Sequence, residues 1–296
     1  MNQIFTSFNE KYRVLAAVCI ASIFEHTGDD FEIVVLDTGI RESTKKKFER
    51  WAIRKKRSLT FIKVKDEHYK SLLPEDFELP ADIEYYPKLL APHFAAKDAK
   101  KILYLDADII CLKNPKEIYD IDLGMNIIGA VQDIFLKFFS EGIINYKDFN
   151  FQGDEPYFNA GLLLIDVNLW KSQHLTRDIL LTTSKNQRSV TFCDQYAFNI
   201  VLYQKWKKIP VFWNEHHLAE KSITIFRHYV GIKPLEYNCL CNDKSLFFKY
   251  LTKGPYSYFI WKKVNIRLYI AKLKRKLNFY SNNIFKTSFD TSRLDI

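Results

Sequence analysis

Lys101-Ile-Leu-Tyr-Leu-Asp106-Ala-Asp108-Ile-Ile-Cys111 reads as a buried strand, Ile102 to Leu105, that runs directly into two carboxylates one residue apart. Side chains at i and i+2 of an extended chain face the same side, so Asp106 and Asp108 can share one hard cation. Open α/β sheets bind ligands beyond the carboxyl ends of their strands, where this pair falls. The plain alternative is an acidic turn after a strand, since Asp is a common turn former.

Working outward, the neighbouring stretches alternate between strand and helix patterns. Residues 2–7 form a short first strand, and Val14 to Phe24 is an apolar run of 11 residues. Lys11 and Arg13 before that run imitate a signal peptide. A strand precedes it, however, no cleavage site follows, and it is too short to span a bilayer, so a buried helix is expected. Glu32–Asp37 and Leu59–Val64 read as strands on either side of a polar helix, Arg41 to Lys56, with Phe48 and Trp51 inward. This alternation predicts a parallel, doubly wound sheet. Residues 66–82 read as a loop, and a helix opens at Pro87. Downstream, strands are expected at 127–132, 157–166, 209–213 and 224–228, with helices over 167–185 and from Asp194. Residues 134–156, irregular and rich in aromatics, suit a substrate-covering loop.

Of the 296 residues 47% are apolar and only 9 are Gly, which supports a sizeable core and excludes wholesale disorder. The five Cys are scattered and lack zinc-ligand spacing, so reduced thiols in a cytosolic protein are expected. The net charge of +9 is local: residues 244–289 hold 11 Lys or Arg and no acid, leaving the rest of the chain close to neutral. That distribution argues against a nucleic-acid-binding protein and for one localised anionic partner.

Four motifs in order, Leu103-Tyr-Leu-Asp106-Ala-Asp108, Tyr157-Phe-Asn159-Ala-Gly161-Leu-Leu-Leu-Ile, Asp194-Gln195 and His228-Tyr-Val-Gly231-Ile-Lys233-Pro234, resemble the signatures of glycosyltransferase family 8. This family includes glycogenin and bacterial lipopolysaccharide galactosyl- and glucosyltransferases, and the resemblance covers roughly residues 1–235. It implies a GT-A type, Rossmann-like, mostly parallel α/β sheet and a retaining, metal-dependent transferase acting on a UDP-sugar. By that resemblance Asp106, Asp108 and His228 are the metal ligands, for Mn²⁺ (or Mg²⁺), which offsets the diphosphate charge as a Lewis acid. Lys88, Lys233 and the Gly231 backbone would contact the diphosphate, with Lys88 standing where relatives commonly carry arginine. Asn9 and Lys11 occupy the loop that holds nucleobase and ribose. Asp133, Asn159 and Asp194 match residues that hydrogen-bond the donor sugar. Gln195 matches the residue facing the anomeric carbon; an amide is a poor nucleophile, so same-face attack through a short-lived oxocarbenium-like ion is expected.

The chain is expected to divide into a catalytic domain, 1–243, and a basic tail, 244–296. In the tail Ile266, Ile270, Leu273, Leu277 and Tyr280 make one helical apolar stripe among seven Lys or Arg from Lys262 to Lys276. A basic amphipathic helix of this kind suits an anionic membrane surface, with a subunit or domain contact as the alternative. The expected function is a cytoplasmic, peripheral-membrane hexosyltransferase acting on a saccharide or glycolipid acceptor such as lipopolysaccharide or lipooligosaccharide. Two rivals differ in kind. A haloacid-dehalogenase-like phosphohydrolase also uses Asp-x-Asp after a strand but has no role for the Asn-Ala-Gly strand. A catalytically silent docking protein has no need of metal ligands.

Overall fold

A computed structural model describes residues 1–80, 83, 86–187, 189, 193–218, 223–236, 239, 241, 243–257 and 270. β1 (Asn2–Phe8) leads into α1 (Arg13–His26), in which every residue from Leu15 to Phe24 is buried. The apolar run is thus a helix covered on all sides. β2 (Phe31–Asp37), α2 (Glu42–Lys55), β3 (Ser58–Lys63) and the short α3 (Asp66–Lys70) follow. A 3-10 helix, Pro87–Phe94, opens with its proline in the first turn and leads to β4 (Lys101–Leu105) and β5 (Ile109–Cys111). Next come β6 (Ile128–Ala130), α4 (Phe139–Gly142), β7 (Leu162–Asp166), α5 (Val167–Ser172), α6 (Leu175–Lys185) and α7 (Cys193–Val201). β8 (Trp206–Lys208), β9 (Glu215–His216), β10 (Phe226–His228) and α8 (Lys244–Lys253) complete the described elements.

Seven strands form the main sheet in the order β3-β2-β1-β4-β7-β6-β8. Every pairing is parallel except the two made by β7, which runs against both β4 and β6. The mostly parallel α/β sheet is as expected, and its one reversed strand has a consequence. Leu105 at the end of β4 faces Leu162 at the start of β7, and Asp106 N–H donates to Gly161 O at 2.8 Å. A parallel β7 would place its leading residues at the opposite ends of the strands, beside the start of β4. A second sheet, β5-β10-β9, pairs His228 with Ile109 and with His216. Each face of the main sheet has its own apolar cluster, one around α1, α2 and α8, the other around the 3-10 helix, α6 and α7.

Several expectations change. Residues 106–108 are a tight turn closed by Ile109 N–H to Asp106 O at 3.2 Å, not extended chain, so the two carboxylates converge through the turn. The strand expected over 157–166 begins only at Leu162: Asn159 N–H goes to Val131 O, and Gly161 N–H turns to the Asn159 side chain. Residues 209–213 give the 3-10 helix Val211–Trp213, with the strand displaced to β8. The helix expected over 167–185 breaks at His174, which sits at φ 53°.

The boundary expected at 243/244 falls where α8 begins to dock. Phe247, Tyr250 and Leu251 are buried against α1, Trp51 Nε1–H donates to Lys253 O at 3.0 Å, and the Tyr256 ring meets Phe48. Residues 244–257 therefore belong to the core. The amphipathic stripe, apart from the exposed Ile270, lies outside the described residues. No helix among the described residues is long and apolar enough to cross a membrane. Cys19, Cys111, Cys239 and Cys241 are buried free thiols.

Candidate active site

The turn after β4 and the pairing of β10 with β5 bring Asp106, Asp108 and His228 together, with one ligand atom of each within 4.8 Å of the others. Gly161 makes room for the third. A Cβ at residue 161 would stand 2.2 Å from His228 Cε1, so only glycine admits the imidazole.

A hydrogen-bonded relay fixes that imidazole's tautomer. Asp133 Oδ2 is acceptor-only, so Asn159 must turn its amide nitrogen to it, at 3.0 Å. Asn159 Oδ1 then accepts from Gly161 N–H at 3.0 Å and from Asn214 Nδ2 at 2.9 Å. Asn214 is left with Oδ1 toward His228 Nδ1, at 3.1 Å, so Nδ1 carries the proton. His228 Nε2 is the other ring nitrogen. It lies 3.2 Å from Asp108 Oδ1, yet the two are not aligned as a hydrogen bond, and among the described residues this buried oxygen has no hydrogen-bond partner. A lone pair on each of two facing ligand atoms, oriented from behind, fits a divalent cation of the Mn²⁺ or Mg²⁺ class.

Two lysines, the buried Lys88 and the half-buried Lys233, balance the carboxylates. Lys88, in the first turn of the 3-10 helix, bridges Asp194 Oδ2 at 2.8 Å and Asp106 Oδ1 at 3.3 Å, and donates to Ala160 O. Lys233 binds Asp108 Oδ2 and donates to Tyr229 O at 2.8 Å. Desolvation raises the Asp106 carboxyl, against the pull of Lys88 and with the charges of Asp108 and Asp194 adding to the rise. Desolvation also acts on Asp108, but its close contacts with His228 and Lys233 outweigh it and hold that carboxyl below its usual value. Burial alone would lower the Lys88 ammonium; Asp106 and Asp194 instead keep it firmly protonated. Burial and the neighbouring His217 push His216 down to about 4.

A cavity of about 280 Å³ opens beside the triad, bounded by Ser7, Asn9, Tyr104, Asp106, Asp108 and Lys233 among others. Asn9 borders it while capping the following turn, its side chain accepting from Lys11 N–H at 3.0 Å. Lys11 does not reach the cavity: it is exposed, with its ammonium over the Tyr12 ring. Gly231 is exposed at φ 74°, a left-handed position that favours glycine. Lys88 is tied to carboxylates and is not the free charge expected for a phosphate contact. Gln195, at the start of α7, accepts from Ala160 N–H at 3.0 Å and donates to Asp133 Oδ2 at 3.2 Å, so Asp133, Asn159, Asp194 and Gln195 do converge. Asn214 and His216 went unmarked in the sequence reading. The polar cluster Asn214-Glu-His-His217 directly after an apolar run was their available signal.

Residues 3–238 match the sequence profile described as "Glycosyl transferase family 8". General stress protein A of Bacillus subtilis is 23% identical over 187 residues, 62% of this chain and 63% of that protein. The chain thus spans less than two thirds of that relative's length. Lipopolysaccharide 1,2-glucosyltransferase of Escherichia coli is 27% identical over 76% of this chain and 70% of its own. Among solved structures, that of the galactosyltransferase LgtC with donor and acceptor sugar analogs superposes with a TM-score of 0.70 at 22% identity, covering 88% of this chain and 99% of that one.

Proposed function

This chain belongs to glycosyl transferase family 8, and from that premise and the geometry of its site we propose that it is a retaining, metal-dependent hexosyltransferase. It moves glucose or galactose from a UDP-sugar to a saccharide on a lipid-linked acceptor. The observation that carries this reading is the convergence of Asp106 and Asp108, which line the cavity, with His228, whose tautomer Asn214 fixes.

A divalent ion held by those three residues supplies charge neutralisation to the leaving diphosphate. The chain's own residues do the rest. Three carboxylates, Asp106, Asp108 and Asp194, face two ammonium groups, Lys88 and Lys233. With His228 neutral, that set carries a net charge of about −1, which suits a divalent cation. Lys233, once released from Asp108, becomes a cation for the phosphates, while Lys88 stays as the internal counter-charge that holds Asp106 and Asp194 in place. Gln195, anchored between Ala160 and Asp133, holds its amide beside the reacting sugar. The sugar–phosphate bond breaks with its electron pair on the diphosphate, and the acceptor oxygen bonds to the anomeric carbon on the face the diphosphate leaves. The acceptor's proton departs to the leaving phosphate oxygen.

A lipid-linked acceptor is supported by the lipopolysaccharide glucosyltransferase among the relatives and by the basic sequence of 262–276. That sequence also supports a peripheral position on an anionic membrane face. The test is hydrolysis of UDP-glucose and UDP-galactose in the absence of acceptor. It should require Mn²⁺ or Mg²⁺, stop with chelator, and be lost in Asp108→Asn while thermal unfolding stays cooperative. Undiminished hydrolysis in that variant would remove the proposed metal site.

A further inference from the structure

The four free thiols described above are of two kinds. Cys19 and Cys111 lie deep in the core, and each donates to a backbone carbonyl, Asp106 O at 3.9 Å and Lys113 O at 3.0 Å. Cys239 and Cys241 are 4% and 6% exposed, so neither is sealed, and they face each other with Sγ to Sγ at 3.0 Å. A disulfide bond is about 2.05 Å long, so these sulfurs need to close only about 1 Å to bond.

The pair lies on the segment that begins at Lys233. Lys233 N–H donates to Glu236 Oε1 at 2.9 Å, Glu236 N–H to Lys233 O at 2.8 Å, and Cys239 N–H to Glu236 O at 3.3 Å. On the far side, Asp243 O accepts from the Tyr229 hydroxyl at 3.1 Å, and Tyr229 O accepts from the Lys233 ammonium. Lys233 is thus tied to the residues flanking the two cysteines from both directions. Drawing the sulfurs together pulls on the Glu236 turn that sets the Lys233 backbone.

We propose that Cys239 and Cys241 are an exchangeable dithiol, oxidised to an intramolecular disulfide by a small organic disulfide, and that the oxidised form weakens the hold of Lys233 on the donor phosphates. The second half rests on the transferase reading; the first does not. One cysteine thiolate attacks the small disulfide, forming a mixed disulfide and releasing one thiolate. The other cysteine, after losing its proton, attacks the protein sulfur of that mixed disulfide and expels the second. Two electrons pass from the cysteine pair to the small disulfide, and both protons end on the released thiols. Burial, with the neighbouring Cys239, pushes the Cys241 thiol up to about 12, so exchange should quicken as pH rises.

The full chain would be incubated with oxidised glutathione and mapped by mass spectrometry. In wild type the peptide holding residues 239–241 should lose two hydrogens and regain them with dithiothreitol, while Cys19 and Cys111 stay reduced. At least one of Cys239→Ser and Cys241→Ser should carry a glutathione adduct in place of that loss. No loss in wild type, a lasting adduct there, or equal oxidation of Cys19 and Cys111 would overturn the dithiol. Calorimetry with UDP and Mn²⁺ reads the second half. Oxidised wild type should bind UDP about tenfold more weakly than reduced, near the low end for one lost hydrogen bond to a charged group. The double variant Cys239→Ser/Cys241→Ser should not respond to oxidant. Equal affinity in the two forms of wild type would overturn the link to Lys233. Reduced wild type that neither binds UDP nor cleaves a UDP-sugar would sink the transferase reading and that link with it, and the dithiol would stand or fall on the mapping.

Discussion

A Cβ at Gly161 would stand 2.2 Å from His228 Cε1 and 2.9 Å from its Nδ1, and Asn214 prevents the ring from yielding. Gly161→Ala must therefore either push the imidazole out of line with Asp108 or strain the Asn214 contact. Mn²⁺ affinity is expected to fall at least tenfold, the range seen when the support of a metal-binding histidine is lost. Titration calorimetry with Mn²⁺ alone reads this, and an unchanged Kd would show that His228 is not a ligand. Gln195 should behave differently, because its amide touches Ala160 and Asp133 and no ligand of the metal. Gln195→Ala is expected to lower kcat with UDP affinity nearly intact; lost UDP binding with normal kcat would reassign it to the nucleotide. Asp106, Asp108 and His228 are legible in sequence because they sit in short motifs. Asn214 is not, since its link to His228 is made by neighbouring strands and by amide orientation, neither of which leaves a spacing.

At the level of elements, the early strands and helices were readable because apolar periodicity and local turn residues decide them. β7 was readable as a strand but not in direction: Leu162-Leu-Leu-Ile165 is equally apolar on both faces, so its pattern suits either orientation. The turn at 106–108 was missed for a related reason. Two Asp one residue apart fit an extended strand end and a tight turn alike, and the choice is made by β5 leaving for a second sheet. Basic composition places the boundary at 243/244, and the buried face of α8 lies just beyond it. Two truncations separate these readings. Removing 258–296 leaves every described contact of α8 in place, so the fold and UDP-sugar hydrolysis should survive. Seven basic residues at about 1 kcal/mol each near an anionic surface would go with it, so binding to anionic liposomes should disappear. Removing 244–296 also strips Phe247, Tyr250 and Leu251 from α1 and should lower Tm sharply or abolish soluble expression. A stable 1–243 fragment would restore the earlier boundary.

For the whole molecule, acid sensitivity should come from histidines before carboxylates. His93 and His216 are held down to about 4, in both cases chiefly by burial, and His26 and His217 are lowered for the same reason. Folded, these rings stay neutral; unfolded, they take protons below about pH 6.5. The unfolded chain thus binds more protons between about pH 6.5 and 4, so their contribution is complete above that window and is lost as pH falls through it. Asp37 acts with the same sign at lower pH: with its folded value lowered, its contribution is complete above the ordinary carboxylate range and is lost as pH falls through it. The interval from pH 7.5 to 5 therefore belongs to the histidines, and Tm should fall by several degrees across it. His93 offers the cleanest check, being remote from the metal-binding triad. Thr176 Oγ1 donates to Leu89 O and accepts from Trp170 Nε1, so toward His93 Nε2, at 2.9 Å, it can only accept. His93→Gln keeps that donor and removes the titration. Scanning calorimetry should find its Tm close to wild type at pH 7.5 and higher than wild type at pH 5. Parallel curves for the two proteins would mean that the acid sensitivity arises elsewhere.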